Sequence, residues 1–142
     1  MDTVNAKQRS ENMRRIRSRD TKPEEIVRKY LFSLGFRYRK NDCRYPGKPD
    51  VVLPKYKTII FVNGCFWHQH PGCHYAVLPK SHLEYWLPKL ERNVRRDEEN
   101  KVKLQELGWN VIIVWECQLR KEEERIETLR NLADEIRLGK QE

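Results

Sequence analysis

The chain has 142 residues, with 29 lysines and arginines against 21 aspartates and glutamates, a formal net charge of +8. That length suits one domain, large enough to bury a core and small enough for a metal clip to matter. No apolar run approaches the roughly 18 residues of a membrane helix, and the polar opening Met1-Asp2-Thr3-Val4-Asn5 does not read as a secretory leader, so a cytoplasmic protein with reduced thiols is expected.

The positive charge is concentrated early. Residues 1–40 carry 12 basic and 5 acidic side chains, whereas residues 116–142 carry 6 and 8. Such a bias points to a polyanionic partner, most often nucleic acid. Arg14-Arg15-Ile16-Arg17-Ser18-Arg19 is its densest run, and residues 7–17 read as a short basic helix with Met13 and Ile16 on one side, within a basic arm over 1–20. Thr21 then reads as a helix N-cap, with Pro23 and Glu24 in the first turn. Ile26, Val27, Tyr30, Leu31 and Leu34 recur at helical spacing as far as a stop at Gly35. Phe36 to Arg39 alternates like an edge strand. Val51-Val52-Leu53 and residues 58–62 read as strands joined through Pro54-Lys55-Tyr56, the second β-branched and central. Leu90, Val94, Leu104 and Leu107 predict a long helix over 88–107 that ends at Gly108. Residues 110–115 form another buried strand, and 121–138 a last amphipathic helix with Ile126, Leu129, Leu132, Ala133 and Ile136 inward. The order α-β-β-β-α-β-α fits a mixed β-sheet flanked by helices in a single α/β domain over 1–142.

The stretch from Asn63 to Cys73 packs two thiols, two imidazoles and two adjacent large aromatics into one segment. Cys65, His70 and Cys73, closed by the distant Cys117, make a Cys3His set for zinc, because thiolate and imidazole suit a borderline-soft, redox-inert ion. Such a sphere is full, so this zinc is expected to hold the fold and do no chemistry. Two disulfides are the competing use of four cysteines, disfavoured by the expected compartment; Cys43 stands apart as a spare thiol. Phe66 and Trp67 are consecutive, so they cannot both face one core, and a metal-braced turn lets both project outward. Lys48-Pro49-Asp50 precedes the strand at Val51. A lone Pro-Asp is usually a turn before a strand, but this topology resembles the core of restriction-endonuclease-like nucleases, in which a Pro-Asp opens the second strand.

Pro49-Asp50, the run Phe61-Val62-Asn63-Gly64-Cys65-Phe66-Trp67-His68 and Val114-Trp115-Glu116-Cys117 occur in order with Asn12-Met13-Arg14, Tyr85-Trp86, Lys89 through Asn93 to Arg96-Asp97, and Leu107-Gly108-Trp109. From about Arg9 to Cys117 the chain therefore resembles the very-short-patch-repair (Vsr) DNA mismatch endonucleases. The resemblance implies a bacterial enzyme that nicks double-stranded DNA on the 5′ side of a thymine mispaired with guanine, uses Mg2+ for cleavage and zinc for structure, and has mismatch-repair proteins as candidate partners; a single asymmetric lesion of that kind suits a monomer. It implies Asp50 and the Val62 carbonyl as Mg2+ ligands, Glu24 as holder of a bound water, and His68 as general base. Phe66, Trp67 and Trp86 would form a wedge beside the mispair, Met13 would enter from the minor-groove side, Lys89 and Asn93 would reach base edges, and Arg14, Arg15, Ile16 and Arg17 would lie on the DNA. Glu24 as a simple helix-dipole carboxylate, His68 as a zinc ligand and Trp86 as a core aromatic are the competing readings.

Two departures from the family pattern bear on the chemistry. Asn63 stands where the pattern has a histidine, and an amide cannot exchange a proton near neutral pH, so it can only position water or phosphate. The spacing to Cys73 is one residue longer, which leaves His74 as a competing zinc ligand. A related restriction-type or structure-specific nuclease, and a non-catalytic zinc DNA-binding module, are the alternative functions.

Overall fold

A computed structural model describes residues 21–139. The expected helix over 7–17, the basic arm 1–20, and with them Met13, Arg14, Arg15, Ile16 and Arg17, lie outside the described residues. The element order is helix α1 (Lys22–Ser33), strands β1 (Val51–Leu53) and β2 (Thr58–Asn63), helix α2 (Leu83–Glu106), strand β3 (Asn110–Trp115) and helix α3 (Glu122–Leu138). The strands lie in the order β1-β2-β3. β1 runs antiparallel to β2 with Val51 opposite Ile60, and β2 runs parallel to β3 with Val62 opposite Val114. α2 makes the crossover between the two parallel strands, as a parallel pair requires.

The sheet is covered on both faces, which is why its strands read as nearly continuous apolar runs. Successive side chains alternate between faces. Val51, Leu53, Ile60, Val62, Ile112 and Val114 pack with Val27 and Leu31 of α1 and Leu129, Leu132 and Ile136 of α3. Val52 and Ile59 pack on the other face with Leu104 of α2 and Trp109. The same alternation places Asp50, Phe61 and Asn63 towards α2. The site is built there.

Three expectations need correction. Phe36 to Arg39 is not a strand: it contributes one isolated bridge, Arg39 to Val52, because Asn41 turns to φ +49° and peels the chain away. The long helix begins five residues earlier than its apolar spacing indicates, with Pro88 inside its second turn. Pro88 has no N–H to donate, so the Glu84 carbonyl one turn before it is left without its intrahelical donor. Finally, Leu90 and Leu104 are buried on α2, but Val94 and Leu107 are largely exposed. The cleft-facing stripe of α2 is polar, with Asn93, Asp97 and Asn100, and Val94 lies outside it. No helix of the described residues is long and apolar enough to cross a membrane.

Candidate active site and metal centre

The sheet opens at one end where β1 and β2 part. Val51 and Ile60 form the last regular pair of the ladder, so the next hydrogen-bonded pair would join Pro49 to Val62. Pro49 has no N–H to give, and Val62 N–H is taken by the Asp50 side chain, with Oδ2 accepting at 2.6 Å. The Val62 side chain points into the core while its carbonyl faces the gap left by Pro49.

Glu24 approaches the same gap from α1. Its Oε2 accepts from the Thr21 N–H at 3.2 Å and from the Arg28 guanidinium at 3.3 Å. The helix N-terminus that a cap residue marks thus presents a carboxylate held in place by its own first turn. Glu24 is buried and lies beside Asp50. Burial, then the Glu24 charge and a hydrogen bond with its carboxyl, push the Asp50 carboxyl up to about 8. A desolvated pair of like-charged carboxyls with a main-chain carbonyl beside it is an all-oxygen donor set short of positive charge, which suits a hard divalent cation.

Across the cleft stands His68. Its Nδ1 lies 2.6 Å from Asp97 Oδ2 on α2. An ionised carboxylate only accepts, so the neutral ring carries its proton on Nδ1 and turns a lone pair outward on Nε2. Asp50, Asn63, His68 and Asp97 line one hollow of about 210 Å³, with Glu24 at its edge. Asn63 is buried on its floor. A broader cleft of about 790 Å³ continues past His68 to Phe66, Trp67, Lys89 and Asn93.

Phe66 and Trp67 do leave the core, but they are half-buried and packed on each other and on Trp86. The ring centroids are 5.2 Å apart for Phe66–Trp67, 5.5 Å for Phe66–Trp86 and 5.7 Å for Trp67–Trp86. Asn93 Nδ2 donates to the Trp67 carbonyl at 3.1 Å, fixing the turn to α2. Lys89 bonds the Tyr85 hydroxyl at 3.3 Å and lies over the Trp67 ring at 5.9 Å. Both residues stand on the cleft wall, as their spacing implied, and both already support the aromatic group.

Below this turn, Cys65, His70, Cys73 and Cys117 offer one ligand atom each, all within 4.8 Å of one another. They form a group that can hold a metal ion. His70 presents Nδ1, 3.4 Å from Cys117 Sγ and 3.8 Å from Cys65 Sγ, and its ring stacks on Trp115 at 4.1 Å. His74 packs on Tyr75 and lies outside this group, and His68 faces Asp97. The thiols crowd one another: burial pushes Cys65 up, and burial together with Cys65 pushes Cys117 up to about 12. Cys73 falls, its burial outweighed by the Tyr75 N–H and the neighbouring thiols. Burial also holds His70 below its ordinary range and so keeps its lone pair available. Cys43 is exposed and separate.

Asp97 and Asn100 line the hollow and Arg28 is hydrogen-bonded to Glu24 and Asp50; the sequence alone assigned none of the three a role. The signal for Asp97 and Asn100 was a polar stripe, Lys89, Asn93, Asp97 and Asn100, at helical spacing where an apolar stripe was expected. Arg28 gave no signal, because its importance lies in burial.

A basic chain whose cleft joins a carboxylate pair, a histidine–aspartate dyad and projecting aromatics has the features of an endonuclease acting on DNA. Residues 1–74 match the family described as DNA mismatch endonuclease Vsr. The chain is 48% identical over 136 residues to the type II nicking enzyme V.NmeAIP of Neisseria meningitidis serogroup A, covering 96% of each. It is 46% identical over 115 residues to the DNA mismatch endonuclease Vsr of Escherichia coli K12, covering 81% of this chain and 73% of that one. It is also 42% identical over 133 residues to the type II nicking enzyme V.XorIIP of Xanthomonas oryzae pv. oryzae, covering 94% and 97%. The chain belongs to the Vsr DNA mismatch endonuclease family, and is an endodeoxyribonuclease that nicks mismatched DNA.

Proposed function

We propose that this enzyme cuts one strand of duplex DNA on the 5′ side of the thymine in a T:G mispair, the product of 5-methylcytosine deamination, and that cleavage depends on Mg2+. The observation that carries the reading is the facing arrangement of Glu24 and Asp50 against His68 and Asp97 in one hollow. Asp50 and the Val62 carbonyl would hold the Mg2+, and Glu24 a water bound to it. Bound there, the ion supplies positive charge against the scissile phosphate and eases ionisation of water. His68 Nε2 takes the proton of the attacking water, and Asp97 holds the ring in the tautomer that can accept it. Asn63 orients water or a phosphate oxygen through its amide and moves no proton.

Selection of the mispair falls to the aromatic group. Phe66, Trp67 and Trp86 enter beside the mispair, where unstacking costs less than in paired duplex. Lys89 and Asn93 follow the base edges, while Met13, Arg14, Arg15, Ile16 and Arg17 of the N-terminal arm grip the opposite side and its phosphates. A zinc ion on Cys65, His70, Cys73 and Cys117 would hold the turn that carries the wedge, since three thiolates and one imidazole in a closed set fit structural zinc. The whole chain acts as one nuclease domain and one monomer on a single asymmetric lesion, over a restriction-endonuclease-like core, in the bacterial cytoplasm beside other mismatch-repair proteins.

The test is Asp50→Ala. It should abolish nicking of a T:G duplex while DNA binding persists; retained cleavage would overturn the assignment.

A further inference from the structure

Arg28 is a charged side chain only 4% exposed, and nothing in the cleavage chemistry above uses it. Burying a guanidinium is costly unless oxygens meet it. Three do so among the described residues. The Glu24 carboxylate accepts at 3.3 Å, the Asp50 main-chain carbonyl at 3.3 and 3.4 Å from two guanidinium nitrogens, and the Asn41 side-chain carbonyl at 3.3 Å.

The backbone explains why an arginine is needed there. Val52 exchanges both main-chain hydrogen bonds with Arg39. Were that strand to continue, Asp50 would be the next residue to pair, and its partner would be Asn41. Asn41 instead turns to φ +49°, so the Asp50 carbonyl loses its strand donor. The Arg28 guanidinium fills the place, and Asn41 returns through its side chain to hold the guanidinium. One planar group thus grips the backbone of one carboxylate residue and the side chain of the other. A lysine, as a point donor, cannot reproduce that fork.

We propose that Arg28 is a positioning residue for the divalent-cation site: it sets the separation and orientation of Glu24 and Asp50, and thereby the affinity of the site. The inference rests on the reading that Asp50 holds the cation and Glu24 a water bound to it. Partners behind metal ligands typically change metal affinity about 10–100-fold when removed.

The experiment is calorimetric titration of Mn2+ into the zinc-loaded full chain without DNA, for the wild type, Arg28→Met, Arg28→Lys and Asp50→Asn, with a thermal melt of each. Arg28→Met should bind Mn2+ about 10-fold more weakly or worse, with Arg28→Lys in between. If Arg28→Met does not fold, Arg28→Gln, which keeps one amide donor, takes its place with the same expectation. Wild-type Mn2+ affinity in the folded Met or Gln variant, even with a lowered Tm, would show a merely structural arginine and overturn the proposal. Asp50→Asn separates the two levels: if it binds Mn2+ like the wild type, the cation site itself is misassigned, whatever Arg28 does.

Discussion

His68 and Asp97 are joined by a 2.6 Å contact between Nδ1 and a carboxylate oxygen, across 29 residues of chain and between a turn and a helix. The contact fixes which ring nitrogen is free. Asp97→Asn keeps the shape but can donate its amide N–H to Nδ1, favouring the tautomer whose proton sits on Nε2. The expected outcome is a fall in single-turnover nicking of about 10²–10⁴-fold, the range of a lost general base, with unchanged DNA affinity. His68→Ala should fall as far, and the double variant little further. Additive losses in the double variant would show that the two residues do not act as a unit.

Asp50 gives a pH prediction with a definite sign. Its carboxyl is pushed up from 3.8 to about 8, so between those values the folded chain holds a proton that the unfolded chain has released. Stability without a divalent cation therefore falls as pH rises through that window and levels off above it. Asp50→Asn removes the burden, and its amide oxygen still accepts from Val62 N–H. In magnesium-free buffer the variant should melt with the wild type near pH 4 and above it at pH 8.5, by an amount on the order of a few kcal/mol. Parallel melting curves across this range would contradict the buried-pair account. Glu24→Gln should relieve the same repulsion in part.

The thiol cluster predicts one zinc per chain by elemental analysis. Cys117→Ser and His70→Ala should lose it and melt early, since structural zinc contributes on the order of 10 kcal/mol to folding. His74→Ala should keep both zinc and Tm. Zinc loss in His74→Ala would move the fourth ligand.

Trp67 is half-buried against Phe66 and Trp86, so Trp67→Ala should be tolerated by the fold. The preference for mispaired over matched duplex should shrink about 10-fold, one lost stacking contact being worth about 1–3 kcal/mol. An unchanged preference would place mispair selection elsewhere.

Much of the architecture was legible because it is written in local chemistry. Thr21, Pro23 and Gly35 bracket α1, β-branched runs mark β2 and β3, and ligand type and spacing gather Cys65, His70, Cys73 and Cys117. What was not legible depends on contacts far apart in the chain. Phe36 to Arg39 has the alternation of a strand, but Asn41 breaks the pairing after one bridge. Val94 has the spacing of a core residue, but it is exposed, and the cleft-facing stripe of its helix is the polar one of Asn93, Asp97 and Asn100. Arg28 reads as one more surface cation until Asp50, Glu24 and Asn41 surround it. Asp97 acquires its role only when the fold brings His68 to it.

The most direct measurement of the central claim is strand-resolved cleavage of end-labelled duplexes that differ only in a T:G or a T:A pair, with Mg2+ and with the divalent cation withheld. A single Mg2+-dependent nick, 5′ of the mispaired thymine and absent from the T:A duplex, is the predicted result. Equal cutting of both duplexes, or an undiminished nick without Mg2+, would contradict it.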